Sequence, residues 1–196
     1  MSSPGDAPRR VLFCGVGAVG STTVMLCRNL PVELAFVDFD RVEGKNLLSQ
    51  AFVKQSVGRN KAQALATQLR NFHGVKAVHF GVRLTEANVD ELCGTADLLV
   101  DCFDNIASRQ LLSAWARQHD TPLVHAGLAA DGTFGLVRWD ERFAPDAEDE
   151  EGQATCEGGE HLPFIGLLSA ALARTVQAWL DNGDRHDRLV NLNQVT

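Results

Sequence analysis

The sequence predicts an α/β fold of Rossmann type, a mostly parallel sheet with helices on both faces and a mixed C-terminal part. Three observations carry that expectation. Strand-like and helix-like patterns alternate from residue 9 onward. The strand segments are near-continuous apolar runs, as strands buried on both faces are. Gly15-Val16-Gly17-Ala18-Val19-Gly20 falls where the first strand should turn into the first helix.

The elements follow in order. Residues 11–14 read as a buried strand, and 19–30 as a helix with Val19, Val24, Met25 and Leu26 at helical spacing. Residues 33–37 form the next apolar burst, ending in Asp38-Phe39-Asp40. The spacing predicts a helix over 58–72, with Ala62, Leu65, Leu69 and Phe72 on one face and Lys61 in its first turn. Residues 75–82 alternate as a strand. Thr85 can cap a short helix through 92, where Glu86 complements the positive helix start. A buried strand over 98–102, a helix over 105–119 and strands at 122–126 and 133–139 follow. A long helix over 163–180 stops at Asp181-Asn182-Gly183, where glycine takes the left-handed cap. Residues 189–192 add one strand. Asp146, Glu148, Asp149, Glu150 and Glu151 crowd a stretch without apolar period, read as an acidic crossover loop over 141–160. The whole reads as one domain over 1–196 with a disordered tail at 1–8.

Composition narrows the function. The 196 residues are 45% hydrophobic and 22% charged, as in an ordinary globular domain. Eighteen basic against 25 acidic residues leave a formal charge of −7, with no tyrosine and 7% aromatics. That balance argues against nucleic acid, which needs a basic face and stacking surfaces. Five cysteines without a C-x-x-C pair argue against a disulfide framework or a zinc site, and for reduced thiols in the cytoplasm. The apolar run after Arg9-Arg10 breaks at Gly15, and the one from Leu162 to Ala173 contains Pro163. About 18 apolar residues are needed to span a bilayer, so no membrane segment is expected.

The glycine turn carries the sharpest chemistry. Gly15 permits a tight turn, Gly17 lets backbone approach a phosphate, and Gly20 lets helix and strand pack closely. The helix N-terminus beginning near Ala18 then offers its amides to an anion. Asp38 ends the second strand, about 20 residues on, where a carboxylate can hold both ribose hydroxyls. Up to here an NAD enzyme and an ATP enzyme fit equally. Asp104, in Asp101-Cys102-Phe103-Asp104-Asn105 at the end of the fourth strand, favours ATP. A carboxylate facing phosphates needs a divalent cation between them, hence Mg²⁺. Asp104 or Asn105 can also cap the following helix. Lys61 sits badly with the helix dipole unless an anion, such as phosphate, faces it; as an exposed lysine it would need no partner.

Together Gly15 to Gly20, Val37-Asp38-Phe39-Asp40, Asn46-Leu47-Leu48-Ser49-Gln50, Gly58-Arg59-Asn60-Lys61 and Asp101 to Asn105 with Arg109 resemble the ThiF/MoeB-like adenylyltransferases of the ubiquitin-activating-enzyme superfamily. The resemblance covers residues 9 to about 183. It implies ATP- and Mg²⁺-dependent adenylation of the C-terminal glycine of a small β-grasp protein, a sulfur carrier or ubiquitin-like modifier ending in Gly-Gly. It implies that Asp38 holds ribose, that Asn46 and Lys61 contact phosphates and that Asp104 engages magnesium. Asp40, Gln50, Asn105 and Arg109 match family positions. It also implies a homodimer or a pairing with a related subunit.

The chain departs from the family at two places. Asn-Leu-x-Arg-Gln is usual where Ser49 replaces the arginine, and a hydroxyl cannot stand in for a bidentate cation. Family members often carry an arginine on an extra N-terminal helix, whereas about ten residues precede the first strand here; Arg9, Arg10, Lys45, Lys54 and Arg59 are candidate substitutes. The cysteine pairs that bind zinc in longer relatives are missing, so no zinc is expected. Cys156 lies where sulfur-transfer members carry a reactive cysteine, while Cys14, Cys27, Cys93 and Cys102 read as core residues. The acidic loop suits a basic carrier tail or is simply solvated. Of the six histidines, none with ligand spacing, His125 follows a strand toward the site. Two alternatives stay open: a subunit that binds nucleotide or carrier with little adenylation of its own, and an NAD-dependent oxidoreductase.

Overall fold

The computed structural model describes residues 8–129, 132–144, 159 and 161–191. Its elements are β1 (Arg10–Cys14), α1 (Ala18–Cys27), β2 (Glu33–Val37), α2 (Lys61–His73), β3 (Ala77–Phe80), α3 (Val89–Cys93), β4 (Leu98–Asp101), α4 (Ile106–Gln118), β5 (Leu123–Leu128), β6 (Phe134–Trp139), α5 (Leu162–Asn182) and β7 (Arg188–Asn191). Short 3-10 turns occupy Gly44–Leu48, Lys54–Ser56 and Asp140–Arg142. The strands form one sheet in the order β3-β2-β1-β4-β5-β6-β7. β1 pairs in parallel with β2 and β4, as do β2 with β3 and β4 with β5. β5–β6 and β6–β7 are antiparallel. This is the predicted mostly parallel sheet with a mixed C-terminal part.

The continuous apolar runs have a simple cause. Val11 and Phe13 of β1 join Leu34, Phe36, Leu98 and Val100 in a core capped by residues of α1, α2 and α5. The alternate residues Leu12 and Cys14 join Ala35, Val37 and Leu99 in a second core under α3 and α4. Period-2 geometry sends neighbours to opposite faces, and both faces are covered. Each fully buried Leu or Phe contributes about 1.5–3 kcal/mol, which fixes strand register. The chain runs outward from β1 to β3 and returns to β4, so the strand order reverses between β1 and β4. The crevice outside their carboxyl ends is where ligands of such sheets bind.

Several boundaries move. Gly58 has φ 87° and cannot open a helix; α2 starts at Lys61, with Asn60 as cap accepting from the Gln63 amide at 3.0 Å. Thr85 is not the cap of α3, which begins at Val89. Asn88 folds back instead, its Oδ1 accepting from the Thr85 amide. Phe72 was expected in the core and is 68% exposed, because α2 covers the edge strand β3 and its last turn overhangs. α5 ends as predicted, with Gly183 at φ 76° donating to the Trp179 carbonyl at 2.8 Å. Among the described residues no helix is long and apolar enough to cross a membrane. Residues 1–7 of the predicted tail, most of the acidic crossover and Leu192 lie outside the described residues.

Candidate functional site

The three glycines of the first turn do different jobs. Gly15 has φ 88°, and a Cβ there would sit 2.9 Å from the Cys102 carbonyl oxygen, so the turn abuts the loop leaving β4. A Cβ on Gly20 would lie 2.2 Å from the Gly15 oxygen, which is how closely α1 crosses β1. Around Gly17 a Cβ would meet nothing within 4 Å. Gly17 is the N-cap of α1, and that helix has no side-chain cap and no acid in its first turn. Its first amides have no intrahelical acceptor, and the position beside Gly17 that a side chain would take is open.

Asp38, 7% exposed at the end of β2, ties this turn down. Its Oδ2 accepts from the Val16 amide at 2.8 Å and its Oδ1 from the Asp40 amide at 2.9 Å. Burial pushes the carboxyl above the usual range, against the Val16 hydrogen bond and the charge of Lys61. Each oxygen keeps a second lone pair for another donor. No local sequence signal marks this structural duty.

Lys61 is buried, and its Nζ lies 3.0 Å from Asp40 Oδ2. The anion demanded by a lysine at a helix start is thus present within the chain. The Asp40 side chain is 46% exposed, so the pair is open to solvent from that side. Asn60, which sequence reasoning passed over, organises the corner. Its Nδ2 donates to the carbonyls of Asp38 at 2.8 Å and Asp40 at 3.2 Å while its Oδ1 caps α2. An Asn just ahead of a helical pattern is the signal that could have found it. Beside Asp38, the Arg83 guanidinium stacks over the exposed Phe39 ring at 3.8 Å, a contact with no local sequence signal.

The segment after β2 proves more structural than expected. Asn46 Oδ1 accepts from the Glu43 amide at 2.8 Å, closing a capping box on the 3-10 turn. The Ala51 amide donates to Ser21 Oγ at 3.0 Å, binding the segment to the start of α1. Ser49 is 2% exposed, and its hydroxyl and Gln50 Oε1 are buried without a partner among the described residues. Ser49 is therefore packed inward, unlike an arginine reaching phosphates.

Asp104 is exposed, directly after the loop that abuts the glycine turn. Among the described residues no group of three His, Cys, Asp or Glu could hold a metal ion, which leaves Asp104 to be judged as an exposed carboxylate beside substrate phosphates. That fits Mg²⁺, which takes one or two protein carboxylates beside substrate phosphates. Asn105 caps α4, its Oδ1 accepting from the Ser108 amide at 2.9 Å. Arg109 donates to the carbonyls of Phe103 and Ala126, both at 2.7 Å, pinning the β4 loop to β5. Cys156 lies outside the described residues. Cys14, Cys27 and Cys93 are fully buried, and burial pushes the Cys27 thiol up to about 12; these are core residues, as expected.

Behind the β4 loop, His125 of β5 is fully buried between Asp101 of β4 and Asp140 after β6. Its Nδ1 lies 2.7 Å from Asp101 Oδ2 and its Nε2 2.9 Å from Asp140 Oδ1. Ser113 and Arg117 of α4 also donate to Asp140, both at 2.5 Å. Burial pushes the Asp140 carboxyl up, but the hydrogen bonds from His125, Arg117 and Ser113 prevail and hold it at about 2.

The structure thus joins the glycine turn, Asp38, Asp40 and Lys61 by direct hydrogen bonds, and sets the loop bearing Asp104 against them. It gives Asn46 and Asn105 capping duties. The profile of the ThiF family matches residues 7–194. The chain is 31% identical over 174 residues to an adenylyltransferase and sulfurtransferase UBA4 of Meyerozyma guilliermondii, covering 84% of this chain and 41% of that protein. It is 29% identical over 173 residues to the sulfur carrier protein ThiS adenylyltransferase of Escherichia coli K12, covering 82% of this chain and 69% of that protein. The chain spans about two-fifths of the UBA4-type relatives it matches. The crystal structure of E. coli MccB with ATP superposes with a TM-score of 0.76 at 13% identity, over 96% of this chain and 62% of that one. At that identity the likeness concerns the fold.

Proposed function

This chain belongs to the ThiF family, and on that premise we propose that it adenylates the C-terminal glycine of a small ubiquitin-like or sulfur-carrier protein, using ATP and Mg²⁺. The supporting observation is the open space over Gly17 at the uncapped start of α1, flanked by Asp38 and the Lys61–Asp40 pair. The phosphates would lie on the amides near Gly17 and Ala18, where the helix dipole favours anions. Asp38 would accept ribose hydroxyls with its remaining lone pairs. Lys61, oriented by Asp40, would supply positive charge to the phosphates. Magnesium held by Asp104 would neutralise charge on the leaving pyrophosphate.

The carrier's terminal carboxylate attacks the α-phosphorus, the bond to the β-phosphate oxygen breaks, and pyrophosphate leaves an acyl-adenylate. No protein nucleophile is needed; orientation and fixed positive charge do the catalysis. The partner is a β-grasp protein ending in Gly-Gly, and a homodimer or pairing with a related subunit follows from the family. A cytoplasmic setting fits the unpaired buried thiols.

One observation favours a second reading. Ser49 is buried where the family carries a phosphate-binding arginine, which fits a subunit that binds nucleotide or carrier and adenylates slowly by itself. ATP–pyrophosphate exchange with a candidate Gly-Gly carrier separates the two: exchange supports the enzyme, and MgATP binding without exchange supports the subunit. NAD(H) binding without magnesium would instead point to an oxidoreductase.

Asp104→Ala is expected to weaken magnesium-dependent ATP binding about tenfold or more, near 1.4 kcal/mol. Its melting temperature should barely move, since exposed substitutions usually stay within about 0.5 kcal/mol. Calorimetry with and without magnesium reads both; unchanged affinity removes Asp104 from the site.

A further inference from the structure

The Asp101–His125–Asp140 chain has no part in the chemistry above, yet it links two segments that matter to it. Asp101 ends β4, and its Oδ1 accepts from the Phe103 amide at 2.9 Å, one residue before Asp104. Asp140 begins the turn by which the chain leaves β6, and Phe143 of the same stretch stacks on the His125 ring at 3.8 Å. His125 touches both segments and is wholly shielded from water.

Geometry sets its protonation. Each ring nitrogen faces a carboxylate oxygen, and ionised carboxylates only accept. A neutral imidazole has one N–H and would leave one buried carboxylate facing a lone pair. Only an imidazolium donates to both. The surrounding charges leave room for it. On α4, Arg117 binds Asp140, and Arg109 Nε lies 3.6 Å from Asp101 Oδ2. Arg138, opposite His125 in β6, turns toward Asp187 at 4.0 Å. Cys14, beside Asp101 on β1, and Cys102 have thiols pushed up by burial and stay neutral.

We propose that His125 is a positioning residue: clamped as an imidazolium between Asp101 and Asp140, it holds the loop at 102–105, which presents Asp104, in register with the start of the segment leaving β6. The proposal rests on reading that loop as the magnesium side of an adenylation site. Burial pulls the His125 pKa down, but its hydrogen bonds to the two carboxylates outweigh this and raise it above 6.5. A histidine with a raised folded pKa gives its full stabilisation below about 6.5 and loses it as pH rises through the folded value. The clamp therefore loosens on the alkaline side.

Hydrogen exchange in wild type, His125→Gln and the double variant His125→Gln/Asp140→Asn tests this. In the double variant the Gln amide can donate to Asp101 and accept from Asn, which restores the net charge of the wild-type triad should the single variant fail to fold. In the wild type, amides of 102–105 and 140–144 should lose protection together as pH rises, beyond the intrinsic rate, while 10–14 and 33–37 hold. In the variants that pH step should vanish. The single variant should also lose about tenfold protection in both segments at neutral pH. Its MgATP affinity should fall with magnesium-free affinity unchanged. No pH step in the wild type, loss in one segment only, or loss spread over the whole sheet overturns the proposal. A wild type that binds no MgATP overturns the adenylation reading instead, and leaves the exchange result to judge the clamp.

Discussion

Gly20→Ala should abolish the native fold or lower its melting temperature by tens of degrees. The new Cβ would lie 2.2 Å from the Gly15 carbonyl oxygen, 3.1 Å from its carbon and 3.2 Å from Cys102 Cβ. Two of those atoms are backbone that cannot turn aside. Gly15 is held by its own amide on the Val37 carbonyl at 2.9 Å, and the next residue by Asp38. Relief requires α1 to move bodily off β1, taking with it the packing of Val24 and Cys27. Overpacking costs about 1–3 kcal/mol even where side chains can adjust, and here none can. Against a total of about 5–15 kcal/mol, the loss is a large share. Gly17→Ala is the internal control. Its Cβ meets nothing within 4 Å, so the fold should tolerate it while the methyl obstructs the approach of phosphate to α1. Thermal melts with ATP titrations separate the two glycines: one carries the turn, the other the proposed site. A Gly20→Ala protein as stable as wild type would mean that strand and helix do not cross as described.

The same contrast marks what the sequence made legible. The sheet and the tight turn at Gly15 and Gly20 rest on local rules, apolar runs for doubly covered strands and a fixed spacing for the turn, so they could be read from neighbours in the chain. Asp38, Lys61, Asp104 and the loops bearing them also fell near one crevice, because strand ends converge there in this topology. What each polar atom binds was not legible. Lys61 finds its anion in Asp40, 21 residues away, and helix electrostatics alone do not distinguish a carboxylate of the same chain from a phosphate. Asn46, which the resemblance assigns to phosphate, has a structural duty that spacing did not show, closing a capping box through its Oδ1. His125 was visible only as a histidine near a strand end, since its partners are 24 and 15 residues distant on two other elements. Phe72 failed for a related reason: helical periodicity marks a face, not how far the sheet beneath it extends.

Lys61→Met is expected to lower ATP–pyrophosphate exchange about 10²–10³-fold, the usual effect of removing one preorganised charge or donor from a transition state, with little loss of fold. Methionine keeps the buried stem of the lysine and discards the ammonium. Asp40 loses its partner, but its half-exposed carboxylate keeps access to water, which limits the loss. The larger consequence falls on Asp38. Its carboxyl is already raised by burial, and the Lys61 charge is one of the influences restraining it; without that charge it rises further. A carboxyl raised in the folded state binds more protons there than when unfolded, so stability falls as pH climbs from about 3.8 through the folded pKa. The variant should follow the wild type at the acid end, diverge across the range in which Asp38 ionises, and run parallel to it above. Exchange assays at neutral pH with denaturant melts across that range tell charge loss from misfolding. Wild-type exchange in a folded Lys61→Met protein would remove the lysine from catalysis and leave it as a structural partner of Asp40.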